Sequence, residues 1–269
     1  MMLVFSCLLL SCGKEDDMNG IFDLHDYRIQ DALYPKGARL KRVFIGGGLN
    51  GEIWYPQQEY EYDDFGRISK ISCPMYEDGK IKGVISYDIY TYNAKNQLEK
   101  IENYHANLSE GFINLKTYTY SYDKNGNKLK EVIVYPRASP FRTDSTLYHY
   151  KNNRLKREDK YEDGYFGKEP WRSELTTYIE YEYDKQGLLV KETYYSGTDN
   201  TPIKFSVHSY QNGLNVKTEV FIYYNIIGKT ELREIRRYYD KNDNLIYLES
   251  EELSMFSSMM SCVSKYEYE

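Results

Sequence analysis

The sequence predicts an all-β protein: a repeat array of antiparallel β-hairpins forming one long, twisted and curved meandering sheet. Three observations carry this. Tyrosine supplies 31 of 269 residues, against 10 Phe and 2 Trp, and such rings suit a pleated, half-buried surface with one wet end. Tyrosines alternate with small polar residues in Tyr118-Thr119-Tyr120-Ser121-Tyr122, which sets three rings on one face of a strand. The same pattern then recurs to the last residues.

The unit is a strand, a tight turn and the start of a returning strand. Asp123 follows Tyr122, and its carboxylate is suited to accept backbone N–H groups ahead of it. Gly126 and Asn127 tolerate the positive φ of a hairpin turn. Leu129 is expected to open the return strand. Further copies run through Tyr90-Thr91-Tyr92, Tyr148-His149-Tyr150, Tyr181-Glu182-Tyr183-Asp184, Tyr210, Tyr238-Tyr239-Asp240 and Tyr266-Glu267-Tyr268. The second Tyr falls at 62, 92, 122, 150, 183, 210, 239 and 268, in steps of 27 to 33 residues. Self-similarity at a fixed period marks a repeat architecture.

Tyr60-Glu61-Tyr62-Asp63-Asp64-Phe65-Gly66-Arg67-Ile68 resembles the YD repeat, also called the RHS repeat, whose core is Tyr-x-Tyr-Asp-x-x-Gly-Arg-Leu. The resemblance covers about residues 52–269. It is strong at 60–68, 120–129 and 181–189 and weaker at 148–155 and 210–216. It implies hairpins laid side by side in a long coiling sheet. Large members of the family wind such a sheet into a shell around a toxic C-terminal domain. This sequence is far shorter and stops inside a repeat, so the resemblance is expected to extend to the sheet and not to the toxin.

Ahead of the repeats, Met1 to Leu10 is apolar but too short to span a membrane. Leu9-Leu10-Ser11-Cys12 resembles a bacterial lipobox. That implies a signal peptide at 1–11, cut before Cys12, whose thiol receives lipid. No Lys or Arg precedes the apolar run, a departure that a start codon assigned too late accounts for; the plainer reading is an ordinary apolar N-terminus. Residues 12–20 then form a polar acidic tether, and Lys14-Glu15-Asp16-Asp17 resembles the export tag of surface-displayed lipoproteins. The expected address is the outer membrane, exposed at the cell surface, with the membrane as a partner through the lipid. A net charge of −6 argues against nucleic acid, which selects basic patches.

Residues 21–51 are a lead-in. A loose amphipathic pattern over 21–35 fits a short helix or an irregular segment, and 38–45 reads as a first strand. Gly46-Gly47-Gly48-Leu49-Asn50-Gly51 matches a dinucleotide fingerprint in letters only, since strand-forming residues and not a helix follow it. The repeat domain spans 52–269 and should hold roughly 14–18 strands. Tight turns are expected along one edge. Longer loops, near 74–82, 104–111, 135–143, 161–172, 195–202, 224–229 and 249–260, are expected along the other. Return-strand lysines (Lys70, Lys100, Lys130, Lys156, Lys191) are placed to lay their stems over rings. The parity of Leu98 and Ile101 conflicts, so either a bulge intervenes or both faces are partly apolar. The apolar stretch 253–261 is a candidate cap for the last edge. Cys73 and Cys262 meet in a disulfide only if the sheet curls round, and are otherwise two free thiols.

No catalytic set is legible. His25, His105, His149 and His208 lack metal spacing, and the recurring Asp63, Asp123, Asp184 and Asp240 fit turn chemistry better than catalysis. No cofactor or metal is expected. The candidate ligand-binding residues are the aromatics of the long-loop edge, Tyr161, Tyr165, Phe166, Trp171 and Tyr195. Their rings suit stacking on a glycan or an envelope protein, against the plainer reading that they hold the loops to the sheet. The expected function is a lipid-anchored, non-enzymatic binding or scaffold surface. The alternatives are a shell or spacer piece of a larger secreted assembly, and an enzyme with an unrecognised site.

Overall fold

The structure is a computed structural model and describes residues 33–46, 55–77, 80–138, 142–163, 173–224, 229–253 and 260–269. Among these residues the regular secondary structure is strand throughout: β1 (Leu40–Ile45), β2 (Tyr55–Tyr62), β3 (Ile68–Glu77), β4 (Lys80–Tyr92), β5 (Leu98–Asn107), β6 (Gly111–Tyr122), β7 (Lys128–Tyr135), β8 (Arg142–Lys151), β9 (Arg154–Asp163), β10 (Ser173–Tyr183), β11 (Leu189–Ser196), β12 (Pro202–Gln211), β13 (Leu214–Tyr224), β14 (Lys229–Tyr239), β15 (Leu245–Leu253) and β16 (Met260–Tyr268). Strands pair antiparallel with their chain neighbours, and β1 pairs with β16. The strand order is that of a closed barrel, β1-β16-β15 and so on to β2.

The antiparallel meander is therefore as expected, and the long curved sheet closes on itself. An open end leaves a row of unpaired N–H and C=O groups. The lead-in supplies β1 to take that row on β16; of the candidate cap at 253–261, residues 254–259 lie outside the described residues. The chain packs as two units. One holds the described residues up to Gln58, with His208–Val220 and Glu231–Glu269; the other holds Glu59–Val207 and Phe221–Thr230.

The repeat unit has three parts, and the first is the turn. Asp63 Oδ1 accepts the N–H groups of Phe65 and Arg67 at 3.0 and 2.9 Å. Asn93 does the same for Lys95 and Gln97, Asp123 for Asn125 and Asn127, and Asp240 for Asn242 and Asn244. Three residues past the Asp or Asn the chain takes a positive φ, at Gly66, Asn96, Gly126, Gly187 and Asp243. The weaker copies differ physically. Asn152-Asn153 and Asn212-Gly213 put both central residues at positive φ, the two-residue turn that matches strand twist unaided. No carboxylate is needed there, which is why the motif fades.

The second part is a bulge. The register shifts between Glu61 and Tyr62, Thr91 and Tyr92, Ser121 and Tyr122, His149 and Tyr150, Glu182 and Tyr183, and Tyr238 and Tyr239. One extra residue on the return strand resolves the parity conflict: Leu98 lies opposite Tyr92 and Ile101 opposite Tyr90, both on the tyrosine face. The same bulge corrects the role of Leu129. Lys128 faces Tyr122, and Leu129 is the extra residue, left 43% exposed.

The third part joins one hairpin to the next. The hydroxyl of the second Tyr donates to a carbonyl at the start of the preceding unit's return strand. Tyr92 binds Ile68 O at 2.9 Å, Tyr122 binds Leu98 O at 2.7 Å, Tyr239 binds Asn215 O at 2.8 Å and Tyr268 binds Leu245 O at 2.8 Å. Side chains also stitch neighbouring turns, through Arg67 to Asn96 and Asn127 to Asn153.

The long-loop edge is more regular than expected. The first loop, 74–82, is mostly strand, because register shifts at Cys73/Pro74 and Met75/Tyr76 absorb its irregularity and seat a proline that cannot donate to a ladder. The loop at 104–111 shrinks to a turn at 108–110. Cys73 carries a free thiol, so the disulfide reading is not realised.

Replacing Tyr122 with Phe deletes one donor and leaves the Leu98 carbonyl short of a partner. The expected cost is about 1 kcal/mol, read as a lower urea midpoint at unchanged slope. The turns also set acid stability. The Asn127 side-chain amide, then the backbone N–H groups, hold Asp123 below its ordinary 3.8. At Asp63 and Asp240 burial opposes this, but hydrogen bonds from Arg67 and Asn244 prevail and the carboxyls stay low. Groups of lowered pKa stabilise above their unfolded value and lose that contribution as pH falls through the folded one. Stability should therefore decline as pH drops below 3.8, and Asp123→Asn should flatten that part of a pH-dependent urea series.

Candidate binding surface

The residues singled out by sequence are not gathered into one site. Cys12, Tyr165, Phe166, Trp171 and His25 lie outside the described residues. Tyr161 lies in β9, opposite Ser145 on one side and Leu175 on the other. Tyr195 stacks on Tyr178 with ring centroids 4.7 Å apart and planes 11° from parallel, so this ring packs against the sheet. His105 is exposed beside the Ala106 carbonyl, His149 meets Asp159 at 2.8 Å, and His208 meets Thr218. Among the described residues no three His, Cys, Asp or Glu side chains are placed to hold a metal ion.

Instead, each face of the unit built on 59–207 and 221–230 carries its own repeated chemistry. The face opposite the Tyr-x-Tyr rows holds ring pairs topped by a cation. Lys70 Nζ lies 5.4 Å from the centre of the Tyr87 ring, which stacks on Tyr104 at 5.0 Å. The Arg157 guanidinium lies 3.9 Å over Tyr178, which stacks on Tyr195. Lys191 Nζ lies 5.6 Å over Phe205, which stacks on Phe221 at 4.5 Å. Acids finish each stack: Glu61 binds Lys70 at 2.9 Å, Asp159 binds Arg157 and Glu182 binds Lys191 at 3.1 Å. Cation–ring contacts of this kind contribute on the order of 0.5–1 kcal/mol at exposed sites. The lysine expectation is thus met at 70, 191 and 156, the last over Tyr183 at 5.1 Å, and Arg157 takes the corresponding place over Tyr178. A sequence signal for these stacks existed: Tyr87, Tyr178 and Phe205 each stand five residues before the second Tyr of their unit.

The tyrosine face carries a row of phenols and carboxylates. Glu131, Glu158 and Glu192 lie directly opposite Tyr120, Tyr148 and Tyr181. They stand on every second strand, a spacing of about 9.6 Å. Tyr181 donates to Glu158 at 2.8 Å and Tyr194 to Glu192 at 3.4 Å. Ile71 and Ile101 hold the corresponding position in the first two units, so the row begins at the third. Beside it, Asp144 accepts from Tyr135 at 2.8 Å and from Arg142 at 3.0 and 2.8 Å. Burial, then the neighbouring carboxylates, raise the pKa of Tyr120, Tyr148 and Tyr181 and push Tyr194 up to about 12. These phenols remain hydrogen-bond donors at neutral pH. The row offers alternating donors and acceptors, suited to hydroxyl-rich or amide-rich ligands. It provides no nucleophile with its base.

No family model and no curated protein matches the chain. Among solved structures it is similar to a porin-like protein from Bacteroides uniformis ATCC 8492, at 8% identity and TM-score 0.38, over 91% of this chain and 99% of that one. A porin-like protein from Bacteroides vulgatus ATCC 8482 is similar at 13% identity and TM-score 0.35, over 86% and 99%. TcdB2-TccC3 is similar at 11% identity and TM-score 0.30, over 82% of this chain and 15% of that one. Likenesses this distant carry nothing over to this chain.

Alkaline titration tests these half-buried tyrosines. Tyr90 and Tyr194 should ionise near 12, raised from 10.0 by burial and then by the neighbouring acids Asp88 and Glu192. A phenol of raised pKa stabilises the fold below its unfolded value, and that contribution is lost as pH rises through the folded value. Tyrosinate absorbance should therefore still be rising at about pH 12, with unfolding accompanying that rise.

Proposed function

We propose that the chain is a non-catalytic binding or scaffold surface held outside the cytoplasm by lipid on Cys12. The observation that carries the binding half is the in-register row Tyr120–Glu131, Tyr148–Glu158 and Tyr181–Glu192. The recurrent Asp and second-Tyr side chains are occupied in holding turns and joining hairpins, whereas this row repeats a polar pattern that the turns do not require. A glycan or an envelope protein is the occupant this chemistry suits. The anchor rests on the lipobox resemblance.

Both faces of the repeat unit carry ion pairs. Lys70–Glu61 and Lys191–Glu182 lie on one, Arg142–Asp144 and Lys128–Glu131 on the other. A membrane-spanning strand keeps an apolar lipid face, so this reading puts the lipid at the N-terminus and leaves the strands in water.

Two measurements test the proposal. Metabolic lipid labelling should mark the wild-type protein and not Cys12→Ala; equal labelling removes the anchor. On a broad glycan array and in envelope pull-downs, Glu131→Ala, Glu158→Ala and Glu192→Ala combined should reduce binding at least roughly tenfold, as expected for losing charged hydrogen-bond partners. If the wild type retains nothing in either assay, the binding reading fails and a spacer role replaces it.

A further inference from the structure

The turn at Asp240 differs from its counterparts. In the turns of Asp63 and Asp123 the second carboxylate oxygen binds a side chain of the same turn, Arg67 or Asn127. In Asp240 it also accepts the Tyr34 N–H, at 3.1 Å from 206 residues away. Asn242 Nδ2 donates to Tyr34 O at 2.7 Å, and Asn244 Nδ2 donates to Tyr34 O and Pro35 O at 3.2 and 3.1 Å. Asp240 is fully buried by this docking, and Tyr34 packs against Tyr238 and Ile246. Its ring lies 5.1 Å from that of Tyr268.

The strand that follows continues the contact. Arg39 and Glu269 exchange backbone hydrogen bonds, and β1 pairs along β16 from Leu40 opposite Tyr268 to Ile45 opposite Ser264. Charge favours the pairing. Residues 33–45 contain Lys36, Arg39, Lys41 and Arg42 and no Asp or Glu. The receiving side presents Glu267 to Arg42 at 3.7 Å and Glu269 to Lys41 at 3.9 Å.

We propose that residues 33–45 form a separable strap, and that the Asp240–Asn244 turn with the outer edge of β16 is a receptor open to the strap of a second copy when its own is displaced. The strap is a short basic segment on an edge whose backbone groups must be paired by something. An identical strap from another copy carries the same charges and the same Tyr-Pro seat, the condition for exchanging an element between protomers.

The test uses full-length protein. Arg42→Glu alone and Glu267→Arg alone each set like charges against each other within one chain. Each should speed amide exchange in 33–45 and 260–269 by roughly tenfold, with 98–135 unchanged. The double variant should restore protection. Mixing the two single variants should give a heterodimer by light scattering, because the strap carrying Arg42→Glu then meets opposite charge on the β16 edge carrying Glu267→Arg. Asn242→Ala with Asn244→Ala, which leaves the charges intact, should loosen the same two segments. Loss of protection spread evenly along the chain would show the strap to be integral and overturn the proposal, as would unchanged exchange in the strap. A mixture that stays monomeric at every concentration would overturn the trans receptor.

Discussion

Backbone ladders join each hairpin to the next, and one side-chain bond recurs beside them: the tyrosine hydroxyl that reaches from one unit to the start of the return strand in the unit before. It recurs at Tyr92, Tyr122, Tyr239 and Tyr268. A lone hairpin is marginal in water. At Tyr92 and Tyr122 the bulge after the turn sets the return strand so that its first residue lies opposite the second Tyr. In these two units Asn93 and Asp123 pin the turn ahead of the bulge. Turn, bulge and hydroxyl are one device, and a tyrosine repeats because phenylalanine would supply the ring without the donor.

A second constraint concerns burial. Few of the described side chains are fully buried; Tyr238, Asp240 and Ile246 are among those that are. Long polar side chains complete the rest. Lys128 replaces the usual Leu or Ile opposite Tyr122 and brings its ammonium within 4.2 Å of the Tyr148 ring, so an amphipathic stem takes the place of an aliphatic one. This is how a chain with a mean hydropathy of −0.72 still covers its rings.

The candidate surface was less legible than the fold. Tyr195 has the loop-edge position of a binding aromatic, but its ring is committed to Tyr178. Reading the repeat by its tyrosines hid the residues opposite them. Glu131, Glu158 and Glu192 look like ordinary return-strand acids until the bulge is known, because without it they fall on the wrong face. A one-residue slip exchanges the two faces of a strand, so a row defined by register is out of reach of spacing alone.

By itself the sequence determined the local terms: strand, turn and return, their period, and the side chain that pins the Asp and Asn turns; of its two positive-φ positions Gly126 takes one and Asn127 does not. These are contacts between residues close in the chain, and the alphabet records them directly. Tertiary structure decided where the last edge goes. Leu40–Ile45 lies far from Met260–Tyr268 in sequence and shares no motif with it, yet it pairs there. What selects that partner is an unpaired strand edge, a buried aspartate and opposite charge, all properties of the assembled edge and of no single segment.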